Sequence, residues 1–347
     1  MKKIILILLF LSGITSLKAQ QDILVSHYMF NQLLLNPAYA GSKEYMMATL
    51  LYRKQWVDFK GAPETQVASL HGPVGLSNFG WGLQINHDKI GVTDQTDVFI
   101  NAAYHLPLTM KMKLSVGLRG GGGYYSYKNS DLIYWDVNDP AFAGDKVSKF
   151  LPNIGWGAYL HTEKFYVGIS TPNIISYNPG DAVSINLNDK GKTIPHLVRH
   201  YYATAGIALE LNPDVVLKPS ILVKHTPNTP LETDFNLNIL FGKIFWIGGS
   251  YRTGDSFVAL FEIQLGKQLH LGYSYDFTFT DVKNYSAGSH EIMIGYDFGY
   301  DIMKVKTPRY FLIKYLRKKC TNDKVSFPFS YSCFAFIRMR RLSHSSG

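Results

Sequence analysis

Apolar and polar residues alternate along many short segments of this chain. In Leu269–Thr278 the apolar set is Leu269, Leu271, Tyr273, Tyr275 and Phe277, and the residues between them are His270, Gly272, Ser274, Asp276 and Thr278. A period of two puts alternate side chains on opposite faces of a strand. Segments of about ten residues with this alternation are typical of transmembrane β-barrel strands, although each one is a weak signal by itself.

The alternation predicts about fourteen strands. Their expected ranges are 44–56, 65–73, 79–88, 95–106, 111–127, 150–161, 164–171, 198–211, 214–225, 232–242, 244–253, 256–265, 268–278 and 289–299. The links after even-numbered strands are short, as in Leu211–Pro213 and Gly266–Lys267, whereas links 128–149, 172–197 and 279–288 are long. Short turns on one rim and long loops on the other are the pattern of outer-membrane barrels, whose short turns face the periplasm.

A closed antiparallel β-barrel follows from these strands if the chain lies in a membrane. No stretch is apolar enough for a transmembrane helix, and only helices and closed sheets satisfy every backbone N–H and C=O in lipid. An even strand number and the sorting of the links favour a barrel over a soluble β fold. Aromatic residues near the expected strand ends suit interfacial girdles, although aromatics also have a general preference for strands. These residues are Tyr52, Trp56, Trp81, Tyr104, Trp246, Tyr251, Tyr273 and Tyr275.

The segment before the first strand has two parts. Residues 1–19 have a basic start at Lys2 and Lys3 followed by a short apolar core, which predicts a secretory signal peptide. Residues 20–43 are rich in Leu, Phe, Tyr and Met without the period of a strand or a helix, so we expect an ordered arm that packs on or in the barrel. The candidate plug or partner-binding residues of this arm are Tyr28, Phe30, Asn31, Asn36, Pro37, Tyr39 and Gly41.

The sequence SHYMFNQLLLNPAYAGS in this arm resembles the N-terminal signature of the PorP/SprF family of Bacteroidetes. Residues 151–162 (LPNIGWGAYLHT), 165–173 (FYVGISTPN) and 306–311 (KTPRYF) fit the same pattern. The resemblance implies an outer-membrane protein of type IX secretion and gliding. It also implies that the protein helps to export or anchor large surface adhesins through partner binding, with the C-terminal domain of an adhesin or periplasmic secretion components as partners.

The basic charge of the chain lies at its C-terminal end. The whole chain has a formal charge of +9, but residues 304–347 contain 11 Lys and Arg with one acid, whereas residues 20–303 contain 21 Lys and Arg with 25 acids. The expected barrel, residues 44–303, is therefore slightly acidic, and nucleic acid is not an expected partner. The tail beyond about residue 311 is atypical for the family. It is either a non-native extension or a basic element that contacts anionic lipid.

No constellation for chemistry is evident, so we predict no catalytic, cofactor-binding or metal site. Gly120–Gly123 precedes an aromatic strand instead of the helix that a phosphate loop requires. His196 and His200 are four residues apart but lie near a boundary between a loop and a strand. The segment WVDFKGAPET, with Asp58, Lys60, Pro63 and Glu64, is either a Gly-Ala-Pro turn or the entrance where a partner docks.

Three functions fit this pattern, and we place the protein in the outer membrane with both termini in the periplasm. The first is a non-enzymatic barrel that binds type IX partners while residues 20–43 fill or guard the lumen. The second is a FadL-like or porin-like transporter in which the arm is a hatch, and the third is an outer-membrane enzyme. The expected inward faces are rich in Asn, Ser and Gly rather than densely charged, and they do not separate the first two functions.

Overall fold

The computed structural model describes residues 23, 25–43, 45–75, 77–128, 146–177, 198–227, 229–266 and 268–298. The predicted signal peptide, the tail from 304 to 347 and His196 lie outside these residues. In the described part no helix has the length and apolar character needed to cross a membrane. Two 3-10 turns, Gln32–Leu34 and Pro37–Tyr39, precede the strands, and a third, Asp281–Asn284, lies in the last long loop.

Fifteen strand segments form one antiparallel sheet. They are β1 Met46–Lys54, β2 Glu64–Pro73, β3 Phe79–Ile90, β4 Thr93–Pro107, β5 Met112–Lys128, β6 Lys146–Thr162, β7 Phe165–Thr171, β8 Tyr201–Ile207, β9 Leu209–Asn212, β10 Val215–His225, β11 Glu232–Phe241, β12 Phe245–Arg252, β13 Ser256–Leu265, β14 Leu269–Thr278 and β15 Ser289–Phe298. These segments match the fourteen predicted strands, with one exception: the expected strand 198–211 is divided into β8 and β9.

The sheet closes on itself because β15 pairs with β1 and β10 pairs with β11. Both β8 and β9 pair with β10, so together they occupy one position and the barrel has fourteen strands. Pro219 lies in β10 between the residues that pair with β8 and those that pair with β9. Proline has no N–H to donate to the ladder, which explains an interruption at this point. On its other side the chain stays paired with β7, because the N–H of Ala208 donates to the carbonyl oxygen of Lys164 at 2.7 Å, one position beyond the pair Phe165 and Ile207.

The two faces of the wall differ as the alternation predicts. In β4, Ile100 is 67% exposed on the outside, whereas its neighbour Asn101 is fully buried inside. In β14 the apolar set points outward and the polar set, including His270, Ser274 and Asp276, is buried in the lumen. The wide apolar outer face is the surface that a barrel presents to lipid. The fold is therefore that of a transmembrane β-barrel.

Exposed aromatic residues collect near both rims of the outer face. Phe79 and Tyr104 pack at the rim of the short turns with ring centroids 5.0 Å apart, and Tyr251 and Phe257 pack at the opposite rim at the same distance. This distribution fits two interfacial girdles. Trp246 is an exception to the prediction: it is 3% exposed and faces the lumen, where its ring packs against Phe30.

The two rims also differ in their connections. The first, here called the short-turn rim, has links 74–78, 108–111, 163–164, 213–214, 242–244 and 266–268, together with the start of β1 and the end of β15. The second, here called the long-loop rim, includes loops 55–63, 226–231 and 279–288. Two of its links, 91–92 and 253–255, are also short. Short links therefore occur on both rims, and the longest connections lie on the long-loop rim.

Candidate functional site

The lumen and the segment within it form the candidate site. Residues 25–43, here called the N-terminal arm, contact the inward faces of strands all around the barrel, and most of their side chains are buried. Ser26 and His27 lie near the long-loop rim, where they contact β14 and β15. The arm then runs through the lumen to the short-turn rim, where Gly41 lies beside Gly80 and the chain enters β1.

Five charged residues of the wall meet in the lumen near the long-loop rim. This lumenal charge cluster consists of Arg53, Asp234, Arg252, Asp276 and Glu291, each at most 2% exposed. Nη2 of Arg53 donates to Oδ2 of Asp276 at 2.7 Å, and Nη1 donates to Oε2 of Glu291 at 3.1 Å. Arg252 binds both carboxylate oxygens of Asp234 and reaches Asp276 at 3.3 Å.

The N-terminal arm contributes to the charge balance of this cluster. Within the cluster two guanidinium groups face three carboxylates, and Arg252 also donates to Asp255 at the edge of the cluster at 3.3 Å, so Glu291 depends on further donors. The backbone N–H groups of Ser26 and His27 donate to Oε2 and Oε1 of Glu291, both at 2.7 Å. The imidazole Nδ1 of His27 lies 2.6 Å from Oε1 of Glu291, and the hydroxyl of Ser26 donates to Asp276 at 3.0 Å. Hydrogen bonds to an ionised group are about twice as strong as neutral ones, so these contacts fix the start of the arm.

Apolar and aromatic contacts follow along the arm. The ring of Phe30 packs edge-on against Trp246 with centroids 5.6 Å apart, and the ammonium group of Lys218 lies 5.7 Å from the Phe30 ring centroid. The hydroxyl of Tyr28 accepts a hydrogen bond from the amide of Asn236. The side chains of Tyr28 and Phe30 are both buried, so these contacts hold the arm against the β11–β12 side of the wall.

Asparagine side chains connect the middle of the arm to the wall. Nδ2 of Asn31 donates to the hydroxyl of Ser69 at 2.7 Å. Nδ2 of Asn36 donates to the backbone oxygens of Ala158 in β6 and Ile169 in β7, at 3.0 and 3.3 Å. Oδ1 of Asn36 accepts from the N–H of Ala38 at 2.9 Å and so caps the 3-10 turn at Pro37–Tyr39.

Inward-facing glycines allow the arm to approach the wall closely. A Cβ atom at Gly117 in β5 would lie 2.5 Å from the Cα of Ala38, and one at Gly80 in β3 would lie 2.8 Å from the Cα of Gly41. Distances below 3.0 Å are not tolerated between a real Cβ and a backbone atom. The absence of side chains at these positions therefore provides the space that the arm occupies.

All seven residues that the sequence nominated lie in the lumen. Tyr28 and Phe30 contact the β11–β12 side, and Asn31 contacts β2. Asn36 and Pro37 lie beside β5, β6 and β7. The ring of Tyr39 packs edge-on against that of Tyr159, with centroids 5.7 Å apart. The N–H of Gly41 donates to Nδ1 of His71 at 3.3 Å. These are contacts of the arm with the barrel, and its role as a plug is taken up under the proposed function.

Sequence reasoning missed the charged part of the site. The inward faces were expected to be rich in Asn, Ser and Gly rather than densely charged, but the five buried Arg, Asp and Glu side chains of the lumenal charge cluster meet there. A second group lies nearer the short-turn rim, where His270 is 2.9 Å from Asp297 and 3.4 Å from Glu262. Alternation in Leu269–Thr278 put the polar residues of β14, His270 and Asp276 among them, on one face. It gave no information about which of them would meet across a closed sheet.

Replacing Asn36 with alanine is expected to lower the free energy of unfolding by about 1–3 kcal/mol, because two backbone carbonyls and the turn at Pro37 lose their partner. Urea unfolding of the barrel in lipid vesicles would measure this loss. The matched control is Asn78→Ala in an exposed short turn, which is expected to change the free energy by less than about 0.5 kcal/mol. Equal effects of the two substitutions would contradict the role assigned to Asn36.

Other chemistry has no evident centre in the described part of the chain. Its His, Cys, Asp and Glu side chains do not form a group of three that could hold a metal ion. His200 is buried with Nδ1 2.9 Å from the carbonyl oxygen of Val198. Gly120–Gly123 lie within β5 and pair with β4 and β6. The loop with Asp58 and Lys60 joins β1 to β2 at the long-loop rim, and the residue after it, Glu64, pairs with Lys54 at 3.1 Å.

Several solved barrels are similar to this chain. Omp33 of Acinetobacter baumannii has 8% identity over 74% of this chain and 100% of that chain, with a TM-score of 0.43. The CymD monoaromatic hydrocarbon channel has 13% identity over 80% and 94% of the two chains, with a TM-score of 0.48, and the KdgM porin has 7% identity over 73% and 99%, with a TM-score of 0.36. Likenesses at this level say nothing about what this chain binds or transports. No curated protein matches it.

The family comparison is more informative. The model of the family described as type IX secretion system membrane protein PorP/SprF matches residues 17–296, which include the N-terminal arm and all but the end of the last strand. The resemblance noted in the arm sequence thus extends through the barrel. The chain belongs to the PorP/SprF family of type IX secretion system membrane proteins.

Proposed function

We propose that this protein is a non-enzymatic, plugged barrel that helps to export or anchor large surface adhesins by binding partners of the type IX machinery. Its partners would be the C-terminal domain of an exported adhesin, periplasmic secretion components, or both. The observation that carries this proposal is the N-terminal arm within the lumen. A barrel whose interior holds such a segment is better suited to binding at its rims than to passing solutes through its centre.

The attachment of the arm supports a stable plug. Its first residues bind Glu291 and Asp276, its centre binds Ser69 and its end lies against wall glycines, so it is held along the whole barrel. A hatch that opens during transport would have to exchange these buried, charge-assisted hydrogen bonds for bonds to water. A hydrogen bond to a charged group contributes about 1.5–3 kcal/mol net, so breaking several of them together opposes opening. This cost favours the partner-binding function over the FadL-like or porin-like transporter.

The long-loop rim is the proposed docking side for an exported domain. Loops 55–63 and 279–288 are joined there by backbone hydrogen bonds, from Val57 N–H to the oxygen of Gly288 at 2.8 Å and from Ala287 N–H to the oxygen of Val57 at 2.9 Å. They present the exposed rings of Phe59 and Tyr285. Aromatic residues are common anchors in protein interfaces.

The orientation in the membrane is part of the same proposal. We assign the short-turn rim to the periplasm, as in other outer-membrane barrels. Phe298, at the end of β15, lies at that rim, which supports a periplasmic C-terminal end. Ser26 is bound near the opposite rim, so the geometry gives the expected periplasmic N terminus no support, and the proposal keeps only the C-terminal placement.

Co-purification tests the partner-binding function. The tagged full-length protein, extracted in a mild detergent from cells that secrete through the type IX machinery, is expected to recover an exported protein bearing the C-terminal secretion domain or a periplasmic secretion component. Phe59→Ser combined with Tyr285→Ser should reduce recovery of the exported protein, while Phe257→Ser on the lipid-facing wall should not. Recovery of neither class of partner would reject the adaptor function.

Electrical recording separates the plugged barrel from the transporter. Reconstituted into planar bilayers, the wild-type protein is expected to show no steady open-pore conductance, because the arm occupies the lumen. A large, steady conductance from the intact protein would favour transport instead. Proteolytic mapping of the recorded sample would establish that residues 25–43 are still present.

A further inference from the structure

The turn between β4 and β5 exposes an apolar side chain at the short-turn rim. Met110, at its tip, is 90% exposed, and Leu108 in the same turn is 45% exposed. The N–H groups of Leu108 and Thr109 donate to the carbonyl oxygen of Met112 at 2.9 and 3.1 Å. The hydroxyl of Thr109 accepts from the N–H groups of Lys111 and Met112. These bonds close the turn without the side chain of Met110, so that side chain is displayed on an ordered turn that does not need it.

The position of this turn separates it from the lipid-facing wall. Tyr104 belongs to the aromatic girdle at the same rim, and Leu108 follows it in the chain after the end of β4. A strand rises about 3.3 Å per residue and is tilted by about 40° in a barrel, so the turn begins about 10 Å further from the membrane centre than Tyr104. The headgroup region on each side of a bilayer is only about 5–7 Å thick. Contact with lipid therefore does not explain the exposed methionine.

Positive charge accompanies the exposed methionine. Lys111 in the turn and Lys113 at the start of β5 are both exposed, and in the described part of the chain neither forms an ion pair. The neighbouring turn 74–78 is uncharged, and the neighbouring turn on the other side contains Glu163 and Lys164 and is neutral overall. The two lysines beside Met110 are therefore not balanced by the turns next to them.

Lys113 lies on the inner face of the wall, at the mouth of the lumen. It has the same parity in β5 as Ser115, which is fully buried, and Gly117, which packs against the arm. The residues opposite Lys113 are Pro107 in β4 and His161 in β6, and neither is acidic. The wall therefore supplies no carboxylate for this lysine, and its parity directs it away from lipid.

We propose that this turn docks an acidic, partly apolar segment of a periplasmic protein. The inference rests on the proposed function and its assignment of the short-turn rim to the periplasm, and it names the chemistry of the partner there. An apolar side chain of the partner packs on Met110 and Leu108, while its carboxylates pair with Lys111 and Lys113. Methionine is enriched in protein interfaces, and complementary charge selects an acidic partner over a basic one.

Photocrosslinking in cells tests this site. With p-benzoylphenylalanine in place of Met110, the full-length protein is expected to form an adduct with a periplasmic protein. Mass spectrometry should place the crosslink in a segment that combines Asp or Glu with apolar residues. The matched control position is Ile244, an exposed apolar residue of the 242–244 turn at the same rim, which should not form this adduct. Adducts with lipid only, or the same adduct from both positions, would overturn the proposal.

Charge reversal tests the lysines separately. Lys113→Glu should lower the yield of the Met110 adduct by roughly tenfold, because an attraction is replaced by a repulsion. Lys243→Glu makes the same change of charge in the exposed 242–244 turn and should leave the yield unchanged. Equal yields from the two variants would contradict the role of Lys113. Heat-modified gel mobility would verify that each variant is folded.

The co-purification described above separates failure of this site from failure of the proposed function. If the tagged protein recovers a periplasmic component but Met110 forms no adduct, that component binds elsewhere, and the site is rejected while the proposed function stands. If the tagged protein recovers no partner and Met110 forms no adduct, both are rejected.

Discussion

Substituting Arg53 with methionine is expected to lower the free energy of unfolding by about 3–5 kcal/mol, because removing one partner of a buried ion pair leaves uncompensated charge behind. Arg53 is 1% exposed and binds Asp276, Glu291 and the hydroxyl of Ser26. Without its guanidinium, Glu291 would depend on the arm alone for hydrogen-bond donors. Urea unfolding of the barrel in lipid vesicles, followed by tryptophan fluorescence, would measure the change.

The adjacent residue in the sequence provides a matched control. Lys54 points to the outer face and pairs with Glu64 at 3.1 Å, but the two side chains are 45% and 38% exposed. Exposed ion pairs contribute about 0–1 kcal/mol, so Lys54→Met should have little effect. If Arg53→Met is no more costly than Lys54→Met, the lumenal charge cluster does not stabilise the barrel. Adding Glu291→Gln to Arg53→Met should restore part of the loss, because one uncompensated charge is then removed.

The strands were predictable because the membrane imposes a simple rule on each one. Lipid on one side and a polar lumen on the other require alternation along every strand, so β4 and β14 can each be recognised without knowledge of their neighbours. The division at Ala208 was not predicted, although Pro219 in the neighbouring strand was visible in the sequence. A missing N–H acts on the partner strand, and the sequence does not say which strand that will be.

The site was predictable only in part, for a related reason. The arm was recognisable because its apolar residues have no strand or helix period and so must be buried by contact with something else. The charge cluster required the register of the closed sheet, in which Arg53 lies opposite Glu291 and Asp234 lies opposite Arg252. Trp246 was assigned to a girdle because it is an aromatic residue near a strand end. The parity of β12 places it inside, where Phe30 covers it.

The arm and the wall depend on each other in two different ways. Near the long-loop rim the dependence is electrostatic, since the backbone N–H groups of Ser26 and His27 donate hydrogen bonds to the buried carboxylate of Glu291. Near the short-turn rim it is steric, since Gly80 and Gly117 leave the space that the backbone of the arm occupies. Loss of either contact affects a different end of the arm, so the two can be tested independently.

Leucine in place of Gly117 is expected to displace the end of the arm and open the lumen. Its Cβ would lie 2.5 Å from backbone atoms of both Pro37 and Ala38, which cannot move aside as a flexible side chain can. Overpacking of this kind costs about 1–3 kcal/mol and occasionally more, and releasing the arm is the alternative to that strain. In planar bilayers the variant should show steady conductance that the wild type lacks. Protease should cleave within residues 25–43 of the variant and leave the wild type intact.

A second glycine on the same strand separates displacement of the arm from a general effect on β5. Gly120 faces outward, and a Cβ there would meet nothing within 4 Å. Gly120→Leu should therefore insert into lipid, keep the lumen closed and leave the arm protected from protease. If both variants conduct, the wall rather than the plug has been disturbed. If neither conducts and the arm of Gly117→Leu stays protected, the close approach of the arm to β5 does not hold the lumen closed.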